Sequence, residues 1–356
     1  LGGRRGSVVA LDPRTGDVLA FWSAPSYDPN VLGSVDLDAA VAFWNELDAL
    51  AGADDPRLPR MYREIFFPGS TFKVVTAAAA LDAGVATVSE PVFPPVTEYT
   101  APLTTVPLQN FGGNTCGGDL LDSLRQSCNT AFAELAAEVV GPDPMIATAE
   151  AFGFNDTPPL DLPAAAASNV PDDFGAQVDE TDADPPVPIV ENTPALAQAG
   201  IGQNDVKATP LQMALVAAAV ANGGVIMEPH LMAELRDQTG DLIDEYEPSV
   251  WRSPLSSADA ATLRAAMVTV ATSGTAVGLQ VPGFEVGGKT GTAQVDAARP
   301  DDTHAWIIGF GGVANEPPSV AVAVIVESVP GAGQQTGGTT AAPIAQAVLV
   351  QALSAS

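Results

Sequence analysis

At 356 residues and 46% hydrophobic, the chain is long enough for one large domain or two, with ample apolar content for a sizeable core. Its 14 lysines and arginines stand against 43 aspartates and glutamates, a formal net charge of −29. That field repels nucleic acid and anionic lipid, so neither is expected as a partner, and the acidity reads as a solvated surface.

The chain opens Leu1-Gly2-Gly3-Arg4-Arg5, without the charged and then apolar pattern of a signal peptide. It reads as a cut inside a longer polypeptide, which leaves room for a membrane anchor upstream. Residues 7–11 and 18–22 are strand-like runs around Asp12-Pro13-Arg14-Thr15-Gly16-Asp17, the punctuation of a β-hairpin. Residues 36–64 look helical and irregular. Phe67-Pro68-Gly69 then breaks the chain, and the alanine-rich run 74–81 predicts a buried helix ending at Gly84. Ser70 would sit at the N-terminus of that helix, with Lys73 one turn along the same face.

From 85 to 275 the pattern is mainly helical. Residues 120–140 read as one amphipathic helical segment and 210–222 as another, closed by Gly223-Gly224, while 171–187 read as a solvated loop. The period then changes. Residues 284–288 lead into Lys289, 305–310 and 320–326 read as strands, and a last helix covers about 341–353. No run of about 18 apolar residues occurs, so no membrane-spanning helix is expected within this stretch.

Strands, helices, strands and a helix in that order predict an α+β fold. A hairpin at one end and three strands at the other join into one antiparallel sheet flanked by helices. We expect a single domain over 1–356, with an α/β lobe at 1–84 and 276–356, a mainly helical lobe at 85–275, and the site between them.

Cys116 and Cys128 lie close in sequence among glycines. Two buried thiols are one reading; a disulfide closing a short loop beside Ser127, in an oxidising compartment, is the other. His230 and His304 are far apart and no Cys/His ligand spacing occurs, so no metal is expected.

Chemistry points to the lysines. The chain has three, and two stand in Ser70-Thr71-Phe72-Lys73 and Lys289-Thr290-Gly291-Thr292, with Ser127-Cys128-Asn129 between them. A serine hydroxyl is a weak nucleophile until a base takes its proton. Lys73 can be that base if neutral, and desolvation with a second cation, Lys289, would lower its pKa. The backbone N–H of Ser70 and one from the strand carrying Thr292 would stabilise an oxyanion. Taken singly, Ser70 is also a helix cap, Lys73 a solvated lysine, Ser127 and Asn129 polar decoration, and Lys289 to Gly291 a strand end. It is the three together, in this order, that point to acyl transfer.

These motifs, with Pro25-Ser26-Tyr27-Asp28-Pro29-Asn30, Phe67-Pro68-Gly69, Ile201-Gly202-Gln203 and His304-Ala305-Trp306, resemble the class B penicillin-binding protein transpeptidase domain over nearly the whole chain. The actinobacterial penicillin-binding protein A type is most similar, including the Cys116 and Cys128 pair. The resemblance implies the fold of penicillin-binding proteins and serine β-lactamases, with a five-stranded antiparallel sheet. It implies a D,D-transpeptidase at the extracytoplasmic face of the bacterial membrane, acting on peptidoglycan stem peptides as D-Ala-D-Ala donor and amine acceptor. β-Lactams would acylate Ser70 as inhibitors, no cofactor is called for, and divisome or cell-wall proteins are implied partners. Ser70 would be the nucleophile, Lys73 the base, Ser127 a proton relay, and Asn129 an orienting amide. Lys289, Thr290 and Thr292, with Gly291 between them, would hold the substrate carboxylate. Rival readings are a D,D-carboxypeptidase, a serine β-lactamase, and a β-lactam sensor or division scaffold. No Glu-x-x-Leu-Asn follows Ser127, which argues against a class A β-lactamase, and keeping both site lysines argues against a scaffold.

Overall fold

The computed structural model describes residues 1–52, 54–296, 298–299, 301–329 and 333–355. In chain order, the elements that build the site and its frame are β1 (Gly6–Leu11), β2 (Val18–Ala24), α1 (Leu37–Ala49), α2 (Lys73–Asp82), β3 (Glu98–Tyr99), β4 (Leu108–Gln109), α3 (Leu120–Gln126) and α4 (Asn129–Glu134). They continue with α5 (Pro210–Ala221), α6 (Ser257–Ser273), β5 (Glu285–Gln294), β6 (Thr303–Gly312), β7 (Val320–Val326) and α7 (Ala342–Ala355).

The two ends of the chain meet in one antiparallel sheet of order β5-β6-β7-β1-β2, as the alternation of strands and helices suggested. The join is β1 against β7, with Gly6 opposite Val326 and Leu11 opposite Ala321. Every residue of β1, β6 and β7 is buried, which demands cover on both faces and explains their continuous apolar runs. Helix α5 packs on β7, β1 and β6, and α7 on β7 and β6. Helix α6 lies along β5 and also touches α2, α3 and α5. Two helices of the stretch 85–275 are therefore shared with the sheet.

Helix α2 is buried from Lys73 to Ala80, as its all-round apolar composition predicts, and it closes at Gly84, whose φ of +67° suits glycine. The expected single segment over 120–140 is corrected. It breaks at Ser127, which adopts φ 60° and ψ 41°, so α3 ends there and α4 restarts at Asn129, followed by a π-helical turn at Leu135–Val140. The 171–187 stretch is not wholly loop, since Gln177–Glu180 pairs with Pro188–Val190. Similar small ladders interrupt the helical region, β3 with β4 among them. Two-stranded, short and mostly exposed, they carry no apolar alternation for a sequence reading to detect. Among the described residues, no helix is long and apolar enough to cross a membrane.

Candidate active site

Ser70 occupies a 3-10 turn, Gly69–Thr71, that runs directly into α2. The turn is wedged between two backbones. On one side the Gly69 N–H donates to the Gly202 carbonyl at 3.0 Å; a methyl group at Gly202, where φ is +72°, would lie 2.2 Å from the Gly69 oxygen. On the other side a methyl at Gly291 would meet the Pro68 oxygen at 2.8 Å, so β5 presses against the same turn. Such close backbone approaches are why glycine stands at these positions. Ser70 is half-buried at the edge of a cleft of about 600 Å³, whose walls also carry Asn129, Gln198, Gln203, Thr292 and Gln294.

Lys73 and Lys289 are both fully buried, and they converge on Ser127. The left-handed conformation of Ser127 turns the chain between α3 and α4 so that both of its oxygens are presented. Lys73 Nζ donates to the Ser127 carbonyl at 2.7 Å and to Asn129 Oδ1 at 2.7 Å. Lys289 Nζ donates to Ser127 Oγ at 2.7 Å and to the Thr290 carbonyl at 3.0 Å. The Phe132 ring centroid lies 5.5 Å from Lys73 Nζ. Burial, and after it the charge of Lys289, holds the Lys73 ammonium well below the usual lysine range. Burial brings Lys289 down to about 7. The sequence spacing set Lys73 one turn from Ser70 on the same face; among the described residues, the hydrogen bonds of Lys73 Nζ go to Ser127 and Asn129, and none joins it to Ser70 Oγ.

Asn129 is held from both sides. Its Nδ2 donates to the Gln109 carbonyl at 3.0 Å, and its backbone N–H donates to Asn110 Oδ1 at 2.9 Å. Sequence reasoning missed Asn110. An isolated asparagine some 20 residues upstream of a motif carries no spacing signal, and only the fold brings it there. A disulfide joins Cys116 and Cys128, fixing the chain immediately beside Ser127.

The β5 residues separate. Thr292 borders the cleft, whereas Thr290 is buried with its hydroxyl 2.7 Å from that of Thr275, and Gly291 lies under the Ser70 turn. His304 lies on β6 opposite Ala293, with its Nδ1 accepting from the Ser328 N–H at 2.9 Å and its ring edge-on to Phe66. Burial lowers it to about 4, so it is a neutral packing group.

The domain has known counterparts. The family model described as penicillin binding protein transpeptidase domain matches residues 6–350. The chain belongs to this family. The domain is 41% identical to the peptidoglycan D,D-transpeptidase PbpA of Mycolicibacterium smegmatis, over 98% of this chain and 67% of that protein. It is 38% identical to the PbpA of Mycobacterium tuberculosis, with the same two coverages. Among solved structures it is similar to the penicillin G acyl-enzyme complex of penicillin-binding protein A from M. tuberculosis, with a TM-score of 0.83 and 36% identity, covering 98% of this chain and 74% of that one. The D,D-transpeptidase domain of a peptidoglycan glycosyltransferase from Eggerthella lenta gives 0.80 at 29% identity, covering 99% and 78%.

Proposed function

We propose that this transpeptidase domain is a peptidoglycan D,D-transpeptidase that cross-links stem peptides through a Ser70 acyl-enzyme and is inhibited by β-lactams. One observation carries the reading: two buried lysines meet at a single serine beside the turn that bears the candidate nucleophile. The relatives named above support it.

In this scheme the neutral Lys73 amine has two N–H bonds and one lone pair. Both N–H groups are used, on the Ser127 carbonyl and Asn129 Oδ1, which leaves the lone pair to accept the Ser70 proton. Ser70 Oγ bonds to the carbonyl carbon of the D-Ala-D-Ala donor, and the oxyanion draws on the Ser70 and Thr292 N–H groups. As the tetrahedral intermediate collapses, the C–N bond breaks and the leaving D-alanine amine takes the Ser127 hydroxyl proton. Lys73 restores that proton to Ser127. An acceptor amine then attacks the ester, passes its proton back through the same groups, and frees Ser70. Lys289 holds the Ser127 hydroxyl in place and supplies positive field to the substrate carboxylate, with Thr290, Gly291 and Thr292 shaping the strand that receives it. Peptidoglycan as substrate assigns the site to the extracytoplasmic face of the cell membrane, with division or other cell-wall proteins as partners. Residues 1–356 are read as one transpeptidase domain. Its α/β lobe is 1–84 and 276–356, and its helical lobe, 85–275, lends α5 and α6 to the sheet.

The test is intact mass after a fluorescent penicillin, followed by incubation with a stem-peptide donor and an amine acceptor. A stable adduct on the wild-type protein, none on Ser70→Ala, and a cross-linked peptide product are expected. Labelling that survives Ser70→Ala would refute the nucleophile, and fast loss of adduct with hydrolysed drug would mean a β-lactamase.

A further inference from the structure

Asn110 is 5% exposed, borders the cleft, and has every polar valence used. Its Oδ1 accepts from the N–H of Asn129 at 2.9 Å and of Thr130 at 3.0 Å. Its Nδ2 donates to the Val96 carbonyl at 2.9 Å and to Thr130 Oγ1 at 3.2 Å. These bonds supply what the start of α4 lacks. Cys128 stands at the N-cap but makes no capping hydrogen bond, its sulfur being committed to Cys116, so the first N–H groups of the helix are satisfied from another segment. The neighbouring Gln109 carbonyl receives Asn129 Nδ2 at 3.0 Å. A carboxamide whose nitrogen is held on a carbonyl must direct its oxygen to the other side, and there Asn129 Oδ1 meets Lys73. Residues 109 and 110 thus fix both the backbone and the amide orientation of Asn129. They end the short β3–β4 hairpin, whose residues Ala101, Thr104, Val106 and Leu108 line the cleft.

We propose that Asn110 is a positioning residue for acylation, acting through Asn129 to aim the Lys73 amine at Ser70. The proposal rests on the transpeptidase reading given above. A base displaced by a fraction of an ångström loses rate without losing binding. Removing the Asn110 side chain therefore slows bond formation while leaving the affinity of the cleft for its ligand intact.

Stopped-flow acylation by a fluorescent penicillin separates the two, giving the non-covalent dissociation constant Ks and the acylation rate constant k2. Wild-type protein is scored first; if Ser70 takes no penicillin, the transpeptidase reading itself fails. Given labelling, Asn110→Ala is expected to lower k2 on the order of tenfold to a hundredfold with Ks unchanged. Asn110→Asp, which keeps the oxygen that accepts from the Asn129 and Thr130 N–H groups but loses the donor to the Val96 carbonyl, is expected to recover part of the rate. An unchanged k2, or a loss confined to Ks, overturns the proposal. If the alanine variant does not fold, Asn110→Ser takes its place, its side chain being too short to reach both N–H groups; equal k2 in the serine and aspartate variants then overturns it.

Discussion

Lys289 donates to the Ser127 hydroxyl across 2.7 Å, and this contact ties the sheet edge to the helical wall of the site. It also brings a second positive charge to bear on Lys73, whose ammonium is disfavoured first by burial and then by Lys289. Lys289→Ala removes that repulsion, so the Lys73 pKa rises. The ascending limb of the pH profile for penicillin acylation is expected to move to higher pH, with a loss of at least about tenfold at neutral pH. A profile that falls in height but keeps its midpoint would separate the two lysines electrostatically.

The same burial makes stability depend on pH. Both lysines titrate lower in the folded protein than in the unfolded chain, where the ordinary value is 10.5. Between the folded and unfolded values the unfolded chain binds more protons, so stability rises with pH across that window and the penalty is complete below it. For Lys289 the window opens at about 7. Tyr99 works in the opposite sense above its ordinary value of 10.0, because burial and the hydrogen bond to Glu138 favour its neutral form. The unfolding free energy from urea melts is therefore expected to climb between about pH 7 and 9, by up to about 1.4 kcal/mol per pH unit for each proton, and Lys289→Met should flatten the slope.

Gly202→Ala is expected to impair acylation more than its distance from the chemistry suggests. The new methyl would lie 2.2 Å from the Gly69 carbonyl oxygen, at a φ of +72°. The backbone conformation alone costs about 1–2 kcal/mol, and relieving the clash shifts the turn that carries Ser70. The check is k2 beside a thermal melt: k2 should fall in protein that remains folded at the assay temperature.

The Cys116–Cys128 bridge spans a sequence separation of 12. Replacing both cysteines by serine is expected to cost about 3 kcal/mol of stability, read from urea melts. Acylation should slow as well, since Ser127 is held in its left-handed conformation right beside the bridge. Intact mass after alkylation without reductant checks the bond in the native protein.

The candidate catalytic residues were easier to read than the residues that hold them. Ser70, Lys73, Ser127, Asn129 and Lys289 stand in short motifs whose order is itself a signal, and four of the five strands declared themselves through apolar runs, whereas β5, rich in glycine and threonine, was read only as the stretch around Lys289. The break at Ser127 was hidden because 120–126 and 129–140 are each good helix. What ends the first is tertiary: two lysines, a disulfide and Asn110 all pull on the residues between them. Asn110 and the Gln109 carbonyl could not be found by pattern, one being a lone side chain and the other a backbone atom. The sequence also suggested one role for Thr290 and Thr292, yet Thr275 claims the first hydroxyl and only the second borders the cleft.

Of the three lysines in the chain, Lys73 and Lys289 have no exposed surface and Lys207 is half-buried, its Nζ 5.3 Å from the centre of the Phe67 ring. Amine-seeking reagents need an unprotonated amine, the form the interior imposes on Lys73, but they also need access. Among the lysines, a dye ester or an activated sensor surface should therefore reach Lys207 and spare the buried pair, so protein tethered through its accessible amines keeps its reactivity toward penicillin.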